Sequence, residues 1–151
     1  EWSATPSGQV SALAVTPDNS RVFVGDDAGR ISVFSIENLE RVGVLVGPTR
    51  ASPFDPVPPA HLLGVQSIAL TQDGKTVFSS SGGTRTFQHT EKTGNGIAVW
   101  NAETREHLGT REFPSQVYQV SVSADGEHLL VVGKQWAEVW SAVDPALLGQ
   151  E

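Results

Sequence analysis

A short pattern of two apolar segments joined by an aspartate-containing turn occurs three times along the chain. The three copies are VSALAVTPDNSRVFVG from Val10, VQSIALTQDGKTVFSS from Val65 and VYQVSVSADGEHLLVVG from Val117. The turn aspartates lie 55 (73 − 18) and 52 (125 − 73) residues apart, at Asp18, Asp73 and Asp125. Repetition at this interval predicts one supersecondary unit used three times, with each copy packed against the next.

Each copy predicts a four-stranded antiparallel sheet. The first segment is short, apolar and rich in β-branched residues, which is typical of a strand buried on both faces. In the turn that follows, the aspartate can accept backbone N–H groups, and the next residue, Asn or Gly, tolerates a positive φ. A third segment ends on an aromatic residue and a fourth follows after another turn. We expect the closing aromatics to pack between sheets; they are Phe34, Trp100 and Trp140.

This order of segments, with its x-Asp-Gly turns and its closing Val-Trp or Val-Phe pairs, resembles the WD40 family of β-propellers. The first unit is also similar to the YVTN-type repeats of bacterial propellers. Ala60-His61 matches only the histidine of the family's Gly-His pair, and the aspartate of its Trp-Asp pair is missing each time. Asp26 could fill the turn aspartate of the family's Asp-His-Ser/Thr-Trp network, but its unit has Phe34 in place of Trp. The resemblance implies a blade-stabilising hydrogen bond from His61, although we expect no blade to hold the complete network.

The resemblance implies an all-β fold, a β-propeller segment of three four-stranded antiparallel blades that is part of a closed ring. Residues 1–151 are predicted to form a single partial propeller, with blades at about 10–46, 65–112 and 117–150 and with loop insertions at 47–64 and 81–95. Propellers usually close with roughly four to eight blades. Three blades would leave apolar faces in water. We therefore expect either the chain's own copies, in a ring of six or nine blades, or the remaining blades of a longer parent chain to complete the ring.

The two insertions are predicted to emerge on one face of the propeller, next to the middle blade. Loops of this length without secondary structure are often functional or disordered, and interfaces favour aromatic residues and Arg. This pattern predicts a binding patch for a protein or peptide partner, while tolerated drift in surface loops is the competing interpretation. The candidate partner-binding residues are Arg50, Phe54, Asp55, His61, Arg85, Phe87, His89 and Lys92.

The sequence contains no recognisable catalytic constellation, and we expect no catalytic residues, cofactor or metal. The absence of cysteine excludes disulfides and thiolate sites, and the histidines lack close metal-ligand spacing. The net charge of −7 with scattered Lys and Arg argues against a nucleic-acid partner. No apolar run approaches the roughly 20 residues needed to cross a bilayer, so a membrane partner is not expected either. The cellular compartment is left open, since a chain without cysteine suits either redox environment.

These observations favour a non-enzymatic interaction scaffold that presents its loop-decorated face to a protein or peptide. One alternative is part of an enzymatic or cofactor-binding bacterial propeller that resembles lactonases or quinoproteins, with residues of several blades meeting at the central channel. Another is a purely structural assembly module. The family resemblance favours the scaffold only modestly, because function belongs to sites rather than to folds.

Overall fold

The structure, a computed structural model, describes residues 8–48, 59–87 and 90–143. Within these residues the chain forms three larger antiparallel sheets, which we call the first, second and third blades, and one two-stranded ribbon. The first blade contains β1 (Val10–Val15), β2 (Arg21–Asp26), β3 (Ile31–Ser35) and β4 (Arg41–Leu45). The second blade contains β5 (Val65–Leu70), β6 (Thr76–Ser81), β9 (Gly96–Asn101) and β10 (His107–Glu112). The ribbon lies between β6 and β9 along the chain and contains β7 (Thr84–Phe87) and β8 (Thr90–Thr93). The third blade contains β11 (Val117–Val122), β12 (His128–Gly133) and β13 (Trp136–Ser141).

The first two blades have the predicted four-stranded antiparallel arrangement. Their strand orders are β1-β2-β3-β4 and β10-β9-β6-β5, and the third blade follows the same pattern as β11-β12-β13. The all-β propeller architecture predicted from the sequence is therefore confirmed. The predicted fourth strand of the third blade, Ala146–Gln150, lies outside the described residues. Among the described residues there is no helix long and apolar enough to span a membrane.

The aspartate turns join the first and second strands of the blades in the way that the sequence pattern predicts. In the second blade, Asp73 Oδ1 accepts hydrogen bonds from the Thr71 hydroxyl at 2.6 Å and from the Lys75 N–H at 3.0 Å. Asp125 accepts the equivalent pair in the third blade, from the Ser123 hydroxyl and the Glu127 N–H. The residue after each aspartate has a positive φ, namely 58° at Asn19, 69° at Gly74 and 76° at Gly126.

Two apolar cores lie between the blades and hold them together. We call the side of a blade that faces the preceding blade its front side, and the side that faces the following blade its rear side. The first core joins the rear side of the first blade to the front side of the second, and includes Phe23, Val33, Val65, Ile68 and Trp100. The second core joins the second and third blades, and includes Phe78, Val99, Val117, Val120 and Leu129. A side-chain hydrogen bond between the innermost strands accompanies each core, from Ser11 Oγ to the Val65 carbonyl (2.6 Å) and from Ser67 Oγ to the Val120 carbonyl (3.2 Å).

Two details differ from the sequence prediction. The first strand of each blade is not always buried on both faces, because within the described residues only β5 has a blade on each side. β1 leaves Val10, Leu13 and Val15 exposed, whereas β5 has no exposed residue. The insertion at 81–95 is not an irregular loop, since β7 and β8 pair within it as an antiparallel ribbon.

Candidate functional site

Three polar side chains form a buried hydrogen-bond network on the front side of the second blade. Ser79 Oγ lies 2.7 Å from His61 Nε2 and accepts a hydrogen bond of 2.9 Å from the indole N–H of Trp100. All three residues are buried, and His61 is only 6% exposed. These contacts give His61 the blade-stabilising hydrogen bond that the WD40 resemblance implies. Ser79 was missed by the sequence reasoning because it stands in a run of three serines that offers no distinctive spacing.

The donors and acceptors of this network define the protonation state of His61. An indole N–H can only donate, so Ser79 Oγ accepts from Trp100 and its own proton is available to His61 Nε2. We assign neutral His61 with its proton on Nδ1, because this arrangement gives the Ser79 hydroxyl an acceptor. Burial lowers the pKa of His61 to about 4, and the nearby charge of protonated His107 acts in the same direction.

The third blade fills the same three positions with an apolar arrangement. Phe113 lies four residues before β11, the first strand of the third blade, as His61 lies four residues before β5 in the second blade. Val131 stands at the Ser79 position, and Trp140 at the Trp100 position. The Phe113 and Trp140 rings are stacked, with centroids 5.5 Å apart and planes 18° apart. Stacking between aromatic rings therefore replaces the polar network between the second and third blades.

Further contacts extend this aromatic cluster along the outer part of the interface between the blades. Phe113 also stacks on Trp136 at 4.9 Å, and the Trp136 indole donates to Ser115 Oγ at 2.8 Å. The Arg111 guanidinium lies 4.7 Å from the centre of the Trp140 ring, within cation–π range. Sequence reasoning missed Arg111, Phe113 and Trp136 as a cluster because they come from two blades and share no spacing. Only the alignment of Phe113 with His61 could have pointed to it.

The carboxylate of Asp26 closes its own turn in the first blade. Its Oδ1 accepts backbone hydrogen bonds from Ala28 at 3.0 Å and from Arg30 at 2.9 Å. Asp26 and Phe34, which stands at the Trp100 position of this blade, are both buried. The residue that corresponds to His61 in the first blade is Pro6, which lies outside the described residues.

The described ends of the two insertions lie side by side on one face of the propeller, which we call the insertion face. The Gly47 N–H donates to the Pro59 carbonyl at 3.2 Å, and the His61 N–H donates to the Gly29 carbonyl in the β2–β3 turn at 2.9 Å. A Cβ placed on Gly94, at the end of the second insertion, would lie 3.0 Å from Leu62 Cβ. The two insertions therefore meet beside the second blade.

The eight candidate partner-binding residues fall into three groups. Four of them lie outside the described residues: Arg50, Phe54, Asp55 and His89. His61 is buried and bonded to Ser79, so it is not available to a partner, and we remove it from the candidate surface. The other three lie on the ribbon, with Arg85 and Phe87 on β7 and Lys92 on β8.

Hydrogen bonds at the base of the ribbon join the two ends of the second insertion to each other. The buried Ser81 hydroxyl donates to the Gly94 carbonyl at 2.5 Å, and the Gly83 N–H donates to Asn95 Oδ1 at 3.1 Å. The Asn95 carbonyl accepts from the Phe113 N–H at 2.9 Å, which continues the pairing of β9 with β10 in the second blade. The base of the ribbon is therefore closed by its own hydrogen bonds and is continuous with the second blade.

Repeat-equivalent residues reveal two incomplete interfaces, one at each end of the row of blades. On the front sides, Leu13 of the first blade is 62% exposed, whereas its equivalents Ile68 and Val120 are 8% and 3% exposed. On the rear sides the exposed residue belongs to the third blade, and its equivalents in the first and second blades are buried. Val139 of the third blade is 63% exposed, whereas its equivalents Val33 and Val99 are 1% and 0% exposed. We call the front side of the first blade and the rear side of the third blade the two flanks.

Another rear-side position gives the same result. Leu130 of the third blade is 42% exposed, while its equivalents Phe23 and Phe78 are fully buried. The apolar side chain at this repeat position is therefore buried where another blade follows in the chain. It is exposed in the third blade, after which the described residues contain no further blade. Apolar side chains that are exposed together on one side of a sheet mark an interaction surface, unlike single apolar residues scattered over a protein.

One group of side chains among the described residues could offer three metal ligands, although the sequence predicted no metal site. Asp125, Glu127 and His128 place one ligand atom each within 4.8 Å of one another, and all three side chains are exposed. Asp125 Oδ1 already accepts the Ser123 hydroxyl and the Glu127 N–H. The hydrogen bond from Ser123 is the main cause that lowers the pKa of Asp125. The arrangement of this group is thus explained by the turn.

Comparison with solved structures agrees with this geometry. The chain superposes on U3-55K and on the WD40 repeats of RRP9, each with a TM-score of 0.71, at 23% and 21% sequence identity. Each match covers 93% of this chain. The fold is that of a WD40-like β-propeller. This propeller chain spans 38% of the solved U3-55K chain and 37% of the RRP9 chain.

A curated relative points to the same repeat class. The propeller chain is 26% identical to the transcription factor unc-37 of Caenorhabditis elegans over 127 residues, which are 84% of this chain. It spans 17% of the length of that relative, which is a WD-repeat protein. No family model matches the chain.

Proposed function

We propose that this chain contributes three blades to a closed, non-enzymatic β-propeller that serves as a protein-interaction scaffold. The observation that carries the proposal is the exposure of Leu13 and Val139, whose repeat equivalents are buried between blades. Covering such side chains is favourable by roughly 1.5–3 kcal/mol each. A flank that repeats the pattern of an interface is complementary to another blade of the same kind.

Further blades can come from two sources. Additional copies of this chain would pack head to tail, the rear side of one against the front side of the next, and such contacts form rings when the rotation closes. The remaining blades of a longer parent chain would cover the flanks in the same way. In both cases Leu13 and Val139 become buried and the insertion face becomes part of a continuous surface.

The partner surface of the proposed scaffold is the insertion face. Both insertions meet there, and the ribbon with Arg85, Phe87 and Lys92 leaves from it. Aromatic residues and Arg are the residue types that most often dominate binding energy at protein interfaces. We propose that Phe54 of the first insertion and Phe87 of the second anchor a protein or peptide.

Alanine substitution of both anchors tests this role. In the Phe54→Ala/Phe87→Ala variant, we expect reduced binding of proteins that the unchanged protein retains in affinity capture, measured by quantitative mass spectrometry. Leu108→Ala, which removes an exposed apolar side chain from the outer strand β10, is the matched control and should retain them. The thermal unfolding midpoints of the variants should agree. Retention of the same proteins by the anchor variant at unchanged levels would refute the proposed surface.

A further inference from the structure

We propose that the β7–β8 ribbon binds an acidic, extended peptide segment, which adds as a strand to an open edge of the ribbon. This inference rests on the proposed scaffold function and specifies the chemistry of one partner. It is based on the register of the ribbon, on its charge and on its unpaired edges.

The register places two cations opposite each other. β7 and β8 are antiparallel, and the directly paired positions are Thr84 with Thr93, Arg85 with Lys92, Thr86 with Glu91 and Phe87 with Thr90. Because residues alternate between the two faces of a strand, Arg85, Lys92 and Phe87 occupy the same face, together with Thr90. The other face has three threonines and Glu91. One face thus combines two positive charges with an aromatic residue.

The directly paired cations favour an anionic partner. Like charges at directly opposite positions destabilise a strand pair, and the register pairs Arg85 with Lys92 while it places Glu91 on the opposite face. A carboxylate held between them would turn this repulsion into attraction. The protein as a whole carries a net charge of −7, so a doubly cationic face is a local exception that favours an acidic segment over a basic one.

The ribbon also offers backbone groups to a partner. Within the described residues it is a sheet of two strands only, so each strand has one edge unpaired with another strand. Unpaired edges are templates for an added strand, and peptide recognition by strand addition obtains affinity from the main chain and specificity from alternate side chains. The hydrogen bonds of Ser81 and Asn95 close the base of the ribbon, and its two strands form a sheet separate from those of the blades.

Fluorescence anisotropy with defined peptides tests the inference. The probe is a labelled peptide of alternating Glu and Val, and the comparison peptides have Gln or Lys in place of each Glu. We expect the Glu peptide to bind the unchanged protein, and the Gln and Lys peptides to bind much more weakly. The Arg85→Gln/Lys92→Gln variant should weaken binding of the Glu peptide by about tenfold or more, since two charged hydrogen-bond donors are lost.

A charge-matched variant distinguishes recognition from general electrostatics. Arg41→Gln/Lys75→Gln removes two positive charges next to the β3–β4 and β5–β6 turns, at the ends of the blades opposite the insertion face, and should leave peptide binding unchanged. Equal weakening in both variants, or equal binding of the Glu and Gln peptides, would overturn the inference. A Glu peptide in which every second Val is Pro should also fail to bind, because Pro cannot donate to a strand ladder. These outcomes are independent of the flanks, so the scaffold proposal could stand while the ribbon inference fails.

Discussion

Replacement of Trp100 with alanine is expected to lower the free energy of unfolding by about 3–5 kcal/mol, the usual range for a fully buried aromatic residue. Trp100 is completely buried in the core between the first and second blades. Its indole N–H donates to Ser79, and its ring meets the His107 ring edge-on with centroids 4.9 Å apart. The substitution removes all of these contacts and leaves a cavity. Urea-induced unfolding followed by circular dichroism measures the loss.

Trp140→Ala is the matched control for this effect. Trp140 stands at the same repeat position but is only partly buried, and its indole donates to the exposed Glu138 carboxylate at 2.8 Å. We therefore expect a clearly smaller loss of stability than for Trp100→Ala. An equal or larger loss for Trp140→Ala would contradict the assignment of Trp100 as the buried centre of a blade interface.

Acidification from pH 7 to pH 5 is expected to destabilise the protein by ~2 kcal/mol through His61 alone. The pKa of His61 falls from 6.5 in the unfolded chain to about 4 in the folded protein, so the unfolded chain binds the proton more readily between these values. The stabilisation is complete above pH 6.5 and is lost progressively as the pH falls towards 4. Burial also lowers the pKa of His107, which adds an effect of the same sign.

His61→Phe isolates this contribution, because phenylalanine does not titrate and already occupies the equivalent position in the third blade as Phe113. The variant should lose much less stability than the unchanged protein between pH 7 and pH 5. The turn aspartates do not interfere, since their pKa values are lowered, to about 2 in the case of Asp18, chiefly by the Thr16 hydroxyl. The stability they contribute is present above pH 3.8 and is lost only below it. A pH dependence equal to that of the unchanged protein would exclude His61 as its source.

The strands and turns could be predicted from the sequence because local chemistry determines them. Asp18, Asp73 and Asp125 accept hydrogen bonds within a few residues of their own position, so a single repeat contains the whole explanation. The spacing of Val, Ile and Leu in the first strands similarly indicates extended segments. Burial is different, since Leu13 and Ile68 have the same local sequence pattern but only Ile68 has a blade on its front side.

The site was less predictable because its contacts join residues distant in sequence. Ser79 contacts His61 across 18 residues and Trp100 across 21 residues, and nothing in its own neighbourhood distinguishes it from Ser80. His61 was assigned both to the blade network and to the partner surface, and its burial supports only the network. The ribbon within 81–95 was missed because a Thr-rich segment with glycines near both ends has loop character as well as strand character.

Thiol labelling of single cysteines at the flanks tests the central claim that further blades cover them. The chain contains no cysteine, so Leu13→Cys, Val139→Cys and Leu108→Cys each introduce one thiol with no background. In the three blades described, the parent side chains at the two flank positions are 62% and 63% exposed and Leu108 is 48% exposed. If the ring is complete in the native protein, the flank thiols react much more slowly than the thiol at position 108, and all three react alike in urea. Flank thiols that react as fast as the thiol at position 108 in the folded protein would contradict the closed-ring account.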